Sequence, residues 1–506
     1  MPRDRSLTLA LGIVALSVFI SPFTRDLFVG DETKYSQVVR EIRAGAFFLP
    51  TLEGTPFTHK PPLHFWMIDA FTHVFGVYSM WSFALPAIIG FIFLLWLMWR
   101  MEGPLAALVC GTSVMVWGSA QSARMDVTFT AMTVAAAWML RRFLDDGDRR
   151  ALIITGVAVG IATLIKGPMA PVIAIFLFAF EWIRRKRLPR GNYALAILPM
   201  IVIPLLWFVP AMLQGGDSYT REVLVKQTAG RAIGAWVHRS PIWFYLVHAP
   251  ADLFPWFLPA VIAIIAAYRR AKSRAKFYVS WVLAVLIPYS LMSSKLDVYM
   301  MAMIPPVALL IARLDAQDDE WAQRGRIANL VMLVLLLIIG AVAPFFAIRN
   351  VDAAAIVVLP GVKSLFVTLA VTALIGIVLS IRSRNFTTSA ISLGLVPLAM
   401  LVYAALFLMP LANEMTSDRP IVRALSAQKV APQEIALYFA PHLWTRDMPR
   451  ELERVRYASP ESLRERPATV IVTSRRHADE IEDVLRGYRK VDQFRMIGKW
   501  FDVYRR

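Results

Sequence analysis

The chain has 506 residues, 57% of them hydrophobic and only 18% charged, with a mean hydropathy of +0.55. A soluble chain of this length carries about a quarter charged residues and short apolar elements, so the composition excludes an ordinary soluble enzyme. The net charge of +18 invites a nucleic-acid reading. Many of the cations, however, stand in short loops between apolar runs, where anionic lipid headgroups are the expected partner.

The chain reads as a polytopic α-helical membrane protein. Thirteen spans are predicted, at roughly 7–23, 81–99, 104–122, 126–140, 151–165, 168–183, 193–213, 253–268, 276–292, 297–312, 327–347, 363–381 and 388–409. The first follows Arg3 and Arg5, lacks a clear small-x-small cleavage site, and reads as a retained signal anchor. With the N-terminus cytoplasmic, every second loop is cytoplasmic. Those loops hold Arg100, Arg141, Arg142, Arg149, Arg150 and the run Arg184-Arg185-Lys186-Arg187. They continue with Arg269, Arg270, Lys272, Arg274, Arg313, Arg324, Arg326, Arg382 and Arg384. This unbroken alternation fixes the orientation. Cys110, the single cysteine, lies inside an apolar run and forms no disulfide within one chain.

Residues 1–411 thus form a membrane domain with two long outward loops, 24–80 and 214–252. Residues 412–506 read as a small soluble α/β domain outside the membrane, periplasmic in a bacterium. Strands are predicted at Ile435–Phe439, Thr469–Thr473 and Trp500–Tyr504, and a helix at His477–Tyr488. That domain shows no metal spacing, nucleophile elbow or Gly-rich loop.

The 24–80 loop concentrates the chemistry. It holds Asp31, Glu32 and Tyr35, then His59-Lys60-Pro61-Pro62. Asp31 is predicted to cap a helix running to Ala44, stopped by Gly45. The aromatic stretches Phe47-Phe48-Leu49 and Phe65-Trp66-Met67 suit helices lying in the interface. Four outward cations oppose the orientation rule: Lys60, Arg124, Lys166 and Lys295. Each alone is explained by snorkelling to lipid phosphates. Converging beside Asp31 and Asp126, they suit a reaction on a lipid-linked phosphate, with cations holding the phosphate and a carboxylate taking a proton. The 214–252 loop adds Arg221, Lys226, Arg231, His238, Arg239 and an aromatic run from Trp243 to Tyr245. His238 is open to three readings: a divalent-metal ligand with His59, a phosphate donor, or an interfacial side chain on Trp243.

In order, these stretches resemble one family: Asp-Glu-x-x-Tyr after the first span, Lys-Pro, Arg-x-Asp, and Ile-Lys-Gly-Pro. His-Arg-Ser-Pro-Ile-Trp-Phe-Tyr, Phe-Pro-Trp and Ser-Lys-Leu-x-x-Tyr follow. The chain is similar to integral-membrane glycosyltransferases of the GT-C class, and within it to the bacterial aminoarabinose (lipid A) transferase and protein O-mannosyltransferase-like group. The resemblance implies transfer of a sugar from a polyprenyl monophosphate to a lipid A or protein acceptor at the outer face of the inner membrane, inverting and with no nucleotide cofactor. It implies catalytic Asp31 and Asp126, donor-phosphate contacts from Lys60, Arg231, Lys295 and Tyr299, and support from Glu32, Tyr35, Arg124, Lys166 and His238. Two positions depart from the pattern. His59 stands where the aminoarabinose enzymes have a metal-holding Glu, and Asp297 replaces the Pro of Lys-Leu-Pro. The competing reading is a lipid or sugar transporter, which places ionisable groups mid-span and often carries inverted repeats.

Overall fold

Helices occupy all thirteen places where spans are predicted. The computed structural model describes residues 5–224, 240–270, 273–315, 319–345 and 361–506. Among these, seven helices are long and apolar enough to cross a membrane. The pair Phe244–Asp252 and Phe257–Arg269, bent by 115°, raises that to eight if it counts as one broken span. The chain is therefore a multi-pass helical membrane protein, with fewer self-sufficient spans than the thirteen expected.

The shortfall has local causes. The predicted 104–122 span breaks into Pro104–Gly111 and Val114–Ala120. At the break the hydroxyls of Thr112 and Ser113 donate back to the carbonyls of Leu108 (2.7 Å) and Val109 (3.0 Å), and the Val114 N–H leaves the ladder for the carbonyl of Phe254. Such back-bonding bends helices. The 168–183 segment folds as Met169–Arg185, only 17 residues. Such helices rest on their neighbours. Arg149–Lys166 packs so closely on Ala194–Arg221 that a Cβ at Gly156 would meet the carbonyl oxygen of Ala196 at 2.1 Å, the small-residue contact typical of helices in lipid.

Over the bundle lies a layer built from the 24–80 loop. Asp31–Arg43 buries Tyr35, Val38, Val39 and Ile42 on one face, and Leu63–Phe75 buries Phe65 and Ile68 against it. Gly30, at φ +118°, holds the cap position, so Asp31 is the first residue inside the helix rather than its cap. A carboxylate there still meets the positive end of the helix dipole. Between the two helices a short hairpin, β1 (Thr51–Leu52) and β2 (Thr55–Pro56), is fastened by Glu41, which accepts from Thr51 Oγ1 and the Glu53 and Gly54 N–H groups. Of the aromatic stretches, Phe65 and Trp66 are helical. Phe47 and Phe48 sit in irregular chain, where Phe47 stacks on Trp66 at 4.7 Å.

The C-terminal part is a small mixed-sheet unit. Its strands are β3 (Ile435–Tyr438), β4 (Arg456–Tyr457), β5 (Val470–Ser474), β6 (Arg489–Met496) and β7 (Lys499–Arg505), in the order β4-β3-β5-β7-β6. β3 pairs in parallel with both β4 and β5, while β5–β7 and β7–β6 are antiparallel. β3, β5 and β7 fall where strands are predicted, but β4 and β6 are additional. The predicted 477–488 helix forms as a 3-10 stretch, Arg475–Ile481, and a single turn, Glu482–Leu485. The sheet unit is clamped to the outer layer. Asp26 takes ion pairs from Arg419 (2.6 Å) and Arg446 (3.1 Å), and the Trp444 indole N–H donates to the carbonyl of Val77.

Candidate active site

Asp126 opens the helix Asp126–Asp146, and Lys166 closes the next one, Arg149–Lys166. The two are consecutive and antiparallel, so both residues arrive at the same end of the bundle. There they form a close ion pair, between Lys166 Nζ and Asp126 Oδ1. The other carboxylate oxygen, Oδ2, accepts from Arg124 Nε at 3.1 Å, and Arg124 Nη1 lies 3.6 Å from Asp31 Oδ2. The result is one chain of alternating charge: Asp31, Arg124, Asp126, Lys166. Side-chain exposure falls along it, from 47% at Asp31 and 35% at Arg124 to 3% at Asp126 and 8% at Lys166. Asp31 is thus the exposed carboxylate of the chain, and Asp126, expected as a second catalytic acid, is buried between two cations. Lys166 also lies over the rings of Tyr299 (4.9 Å) and Phe129 (5.4 Å), and Tyr299 stacks on Tyr289.

The turn that carries Arg124 is held from two sides. Glu32, buried beneath the Asp31 helix, accepts the Ala123 N–H at 2.8 Å, and the His64 ring Nε2 meets the Ala123 carbonyl at 2.9 Å. Glu32 is also ion-paired to buried Arg25 and accepts the Phe28 N–H. Its role is structural. Tyr35 sits beneath Asp31 against Phe65, and burial, with Asp31 and Asp126 nearby, pushes its phenol far up, so it stays neutral.

Lys60 is half-buried in the turn just ahead of the Leu63–Phe75 helix. Lys295, the fourth outward cation, is held by backbone carbonyls. Its ammonium donates to the carbonyls of Ser240 and Met292, at the wall of a cavity of about 410 Å³ lined by Pro241, Ile242 and Ser293. Arg231 and His238 fall outside the described residues, as do Lys226 and Arg239. His59 is exposed, its ring 5.4 Å from that of Phe57. Among the described residues no three His, Cys, Asp or Glu side chains come together as a metal site.

Beside Asp31 opens a cavity of about 650 Å³. Arg25, Phe28, Asp31, Ser119 and Arg124 line it from the membrane domain, Met415 from the connecting helix, and Arg495 and Ile497 from the C-terminal sheet. The sequence reading missed Arg25 and Arg495. Neither lies in a recognisable motif, and Arg495 reaches the site only through the docking of the sheet.

Residues 59–208 match the family model described as dolichyl-phosphate-mannose-protein mannosyltransferase. An undecaprenyl phosphate-alpha-4-amino-4-deoxy-L-arabinose arabinosyl transferase from Pseudomonas aeruginosa is 28% identical over 355 residues, covering 66% of this chain and 62% of the relative. A counterpart from Sodalis glossinidius is also 28% identical, over 61% of this chain and 59% of its own length. The matched stretch thus spans somewhat under two thirds of these curated relatives. The fold is that of the ArnT crystal structure from Cupriavidus metallidurans bound to undecaprenyl phosphate, with a TM-score of 0.75 at 18% identity over 98% of this chain and 97% of that one. The apo form gives 0.72. The resemblance drawn from the motifs is borne out.

Proposed function

We propose that this chain transfers a sugar, of the aminoarabinose type, from a polyprenyl monophosphate to an anionic lipid acceptor of the lipid A class. The reaction takes place at the periplasmic face of a bacterial inner membrane, with the C-terminal sheet on that side. The observation that carries the reading is Asp31, exposed at the mouth of the 650 Å³ cavity and backed by the chain Arg124–Asp126–Lys166. Matches to transferases that use an undecaprenyl-phosphate sugar support the donor class.

In this mechanism an acceptor oxygen forms a bond to C1 of the sugar from the face opposite the leaving group, which inverts the anomeric centre. The C1–O bond to the polyprenyl phosphate breaks, and its electron pair stays on the phosphate oxygen. Lys60 offsets the charge that develops there, a contact typically worth about 3 kcal/mol of barrier. By family resemblance Arg231 does the same. An acceptor phosphate is already ionised at neutral pH, so Asp31 and Arg124 orient it; an acceptor hydroxyl would pass its proton to Asp31. Arg124, held between Asp31 and Asp126, fixes the angle of the open carboxylate.

The transporter reading has less support, since the charge chain stands at helix ends rather than mid-span. The test is reconstitution in detergent with a synthetic short-chain polyprenyl-phosphate aminoarabinose and lipid A, read by mass spectrometry. A glycosylated lipid A with wild-type protein supports the reading. Its absence, with donor and acceptor both present and the protein folded, overturns it.

A further inference from the structure

His64 is wholly buried, yet only half of its imidazole is in use. Nε2 lies 2.9 Å from the Ala123 carbonyl, and Nδ1 has no hydrogen-bond partner among the described residues. A carbonyl only accepts, so Nε2 carries the proton and donates it. A second proton, on Nδ1, would bury an unpaired charge, so the ring is neutral. An apolar side chain of this size would fill the same space and leave no orphaned nitrogen. An unsatisfied buried atom calls for a reason, and the bond to Ala123 supplies one.

That bond falls on one particular peptide group. The Ala123 carbonyl belongs to the planar link into Arg124, so holding it sets the direction in which the Arg124 side chain leaves the backbone. The peptide before it is fixed by Glu32, which accepts the Ala123 N–H at 2.8 Å. With both peptides held, the Arg124 guanidinium is delivered to the gap between Asp126 (3.1 Å) and Asp31 (3.6 Å). The two holders differ in their other duties. Glu32 also carries the ion pair with buried Arg25, whereas the second nitrogen of His64 holds nothing described.

We propose that His64 is a positioning residue for the transfer reaction. Through the Ala123 carbonyl it aims Arg124, and through Arg124 it sets the carboxylate of Asp31 at the mouth of the cavity. The ring itself touches no reacting atom. This inference rests on the transferase reading above.

The test uses the full-length protein with His64→Leu, His64→Gln and His64→Asn, and with His64→Leu repeated on Arg124→Ala. Steady-state rates are read with the short-chain polyprenyl-phosphate aminoarabinose and lipid A. The Gln amide nitrogen reaches the place of Nε2, whereas that of Asn stops at the place of Nδ1, short of the carbonyl. His64→Leu and His64→Asn should each lower kcat by about tenfold or more and leave the donor KM within about twofold. His64→Gln should stay within about threefold of wild type. On Arg124→Ala, the His64→Leu change should alter kcat by less than about twofold, because the residue it aims is gone. Should His64→Leu fail to fold, the Gln and Asn variants, alike in polarity, decide the point. Equal rates for folded His64→Gln and His64→Asn, or a full His64→Leu loss on Arg124→Ala, overturn the inference and leave the transferase reading standing. A raised donor KM with unchanged kcat overturns it as well, since the effect would then lie with the donor. A wild-type protein that transfers no sugar defeats the transferase reading and this inference with it.

Discussion

Glu32 accepts the backbone N–H of Ala123 at 2.8 Å across 91 positions of sequence. One oxygen of this carboxylate serves the turn that carries Arg124; the other holds Arg25 and the Phe28 N–H. The residue next to the open Asp31 is therefore a strut, and its loss should be felt as instability. Glu32→Ala leaves Arg25 buried without a counter-charge, a change that typically costs about 3–5 kcal/mol. Folded yield and unfolding temperature in detergent should both drop. A variant as stable as wild type would refute the strut.

Asp31→Asn should separate the chemistry from the fold. Gly30 holds the cap, so the helix loses no capping side chain. Unfolding temperature should stay near that of wild type, while transfer falls by about two orders of magnitude or more. Near-normal turnover would reduce Asp31 to a first-turn dipole partner.

Two cations should divide kinetically. Lys60→Ala should lower turnover by about a hundredfold as a lost leaving-group contact, whereas a snorkelling lysine would leave the rate alone. Lys60→Arg keeps the charge and alters the geometry, and should be impaired too. Lys166→Met leaves Asp126 to Arg124 and draws that guanidinium off Asp31. Turnover should fall about tenfold, with the donor KM little changed. Steady-state rates with a short-chain donor read both, and Lys60→Ala and Lys166→Met variants within a few-fold of wild type would remove these assignments.

Asp418, where the C-terminal sheet meets the membrane domain, gives a pH signature. Burial pushes its carboxyl up from 3.8 to about 6, against the pull of the Trp444 and Thr445 N–H groups that it accepts. Below about pH 4 folded and unfolded chains both hold the proton. As the pH rises towards 6 the unfolded chain gives it up first, so stability falls, by at most about 3 kcal/mol. Asp418→Asn, permanently neutral with an oxygen for both N–H groups, should be less pH-dependent between 4.5 and 7. Parallel unfolding curves for the two proteins would contradict this.

Topology is checked with a C-terminal tag and a single cysteine placed in the 24–80 loop. Protease and an impermeant thiol reagent added to intact spheroplasts should reach both. Protection of the tag alone would put the sheet on the opposite side from the loop.

How far the sequence is legible varies from residue to residue. Asp126 and Lys166 could be read as partners because both fall at the outer ends of successive apolar segments. The Glu32–Ala123 bond could not, because a backbone N–H carries no side-chain signal. Thirteen helices were readable from hydropathy, but which of them can stand alone depends on neighbours, as the Thr112–Ser113 break shows. Strand β6 escaped because Arg489–Met496 exposes most of both faces and lacks an alternating apolar stripe. Asp31 reads as a cap in the sequence because Asp favours that position. The chain instead turns at Gly30, whose φ of +118° other residues rarely adopt.

The helix Met409–Thr416 ends in two carbonyls with separate obligations. Thr416 accepts the Val29 N–H just ahead of Asp31, and Met415 accepts the Ile497 N–H at the tip of the β6–β7 hairpin. Composition changes character at about residue 412, which makes that point inviting as a splice junction for hybrids between relatives. A hybrid cut there, like one cut ahead of Met409, would seat the native Val29 on a foreign anchor, and one cut after Thr416 would seat a foreign hairpin on a native anchor. Recombination can therefore exchange the sheet cleanly only if residues 25–32 travel with it, so the two halves of this chain are expected to have diversified together rather than as interchangeable modules.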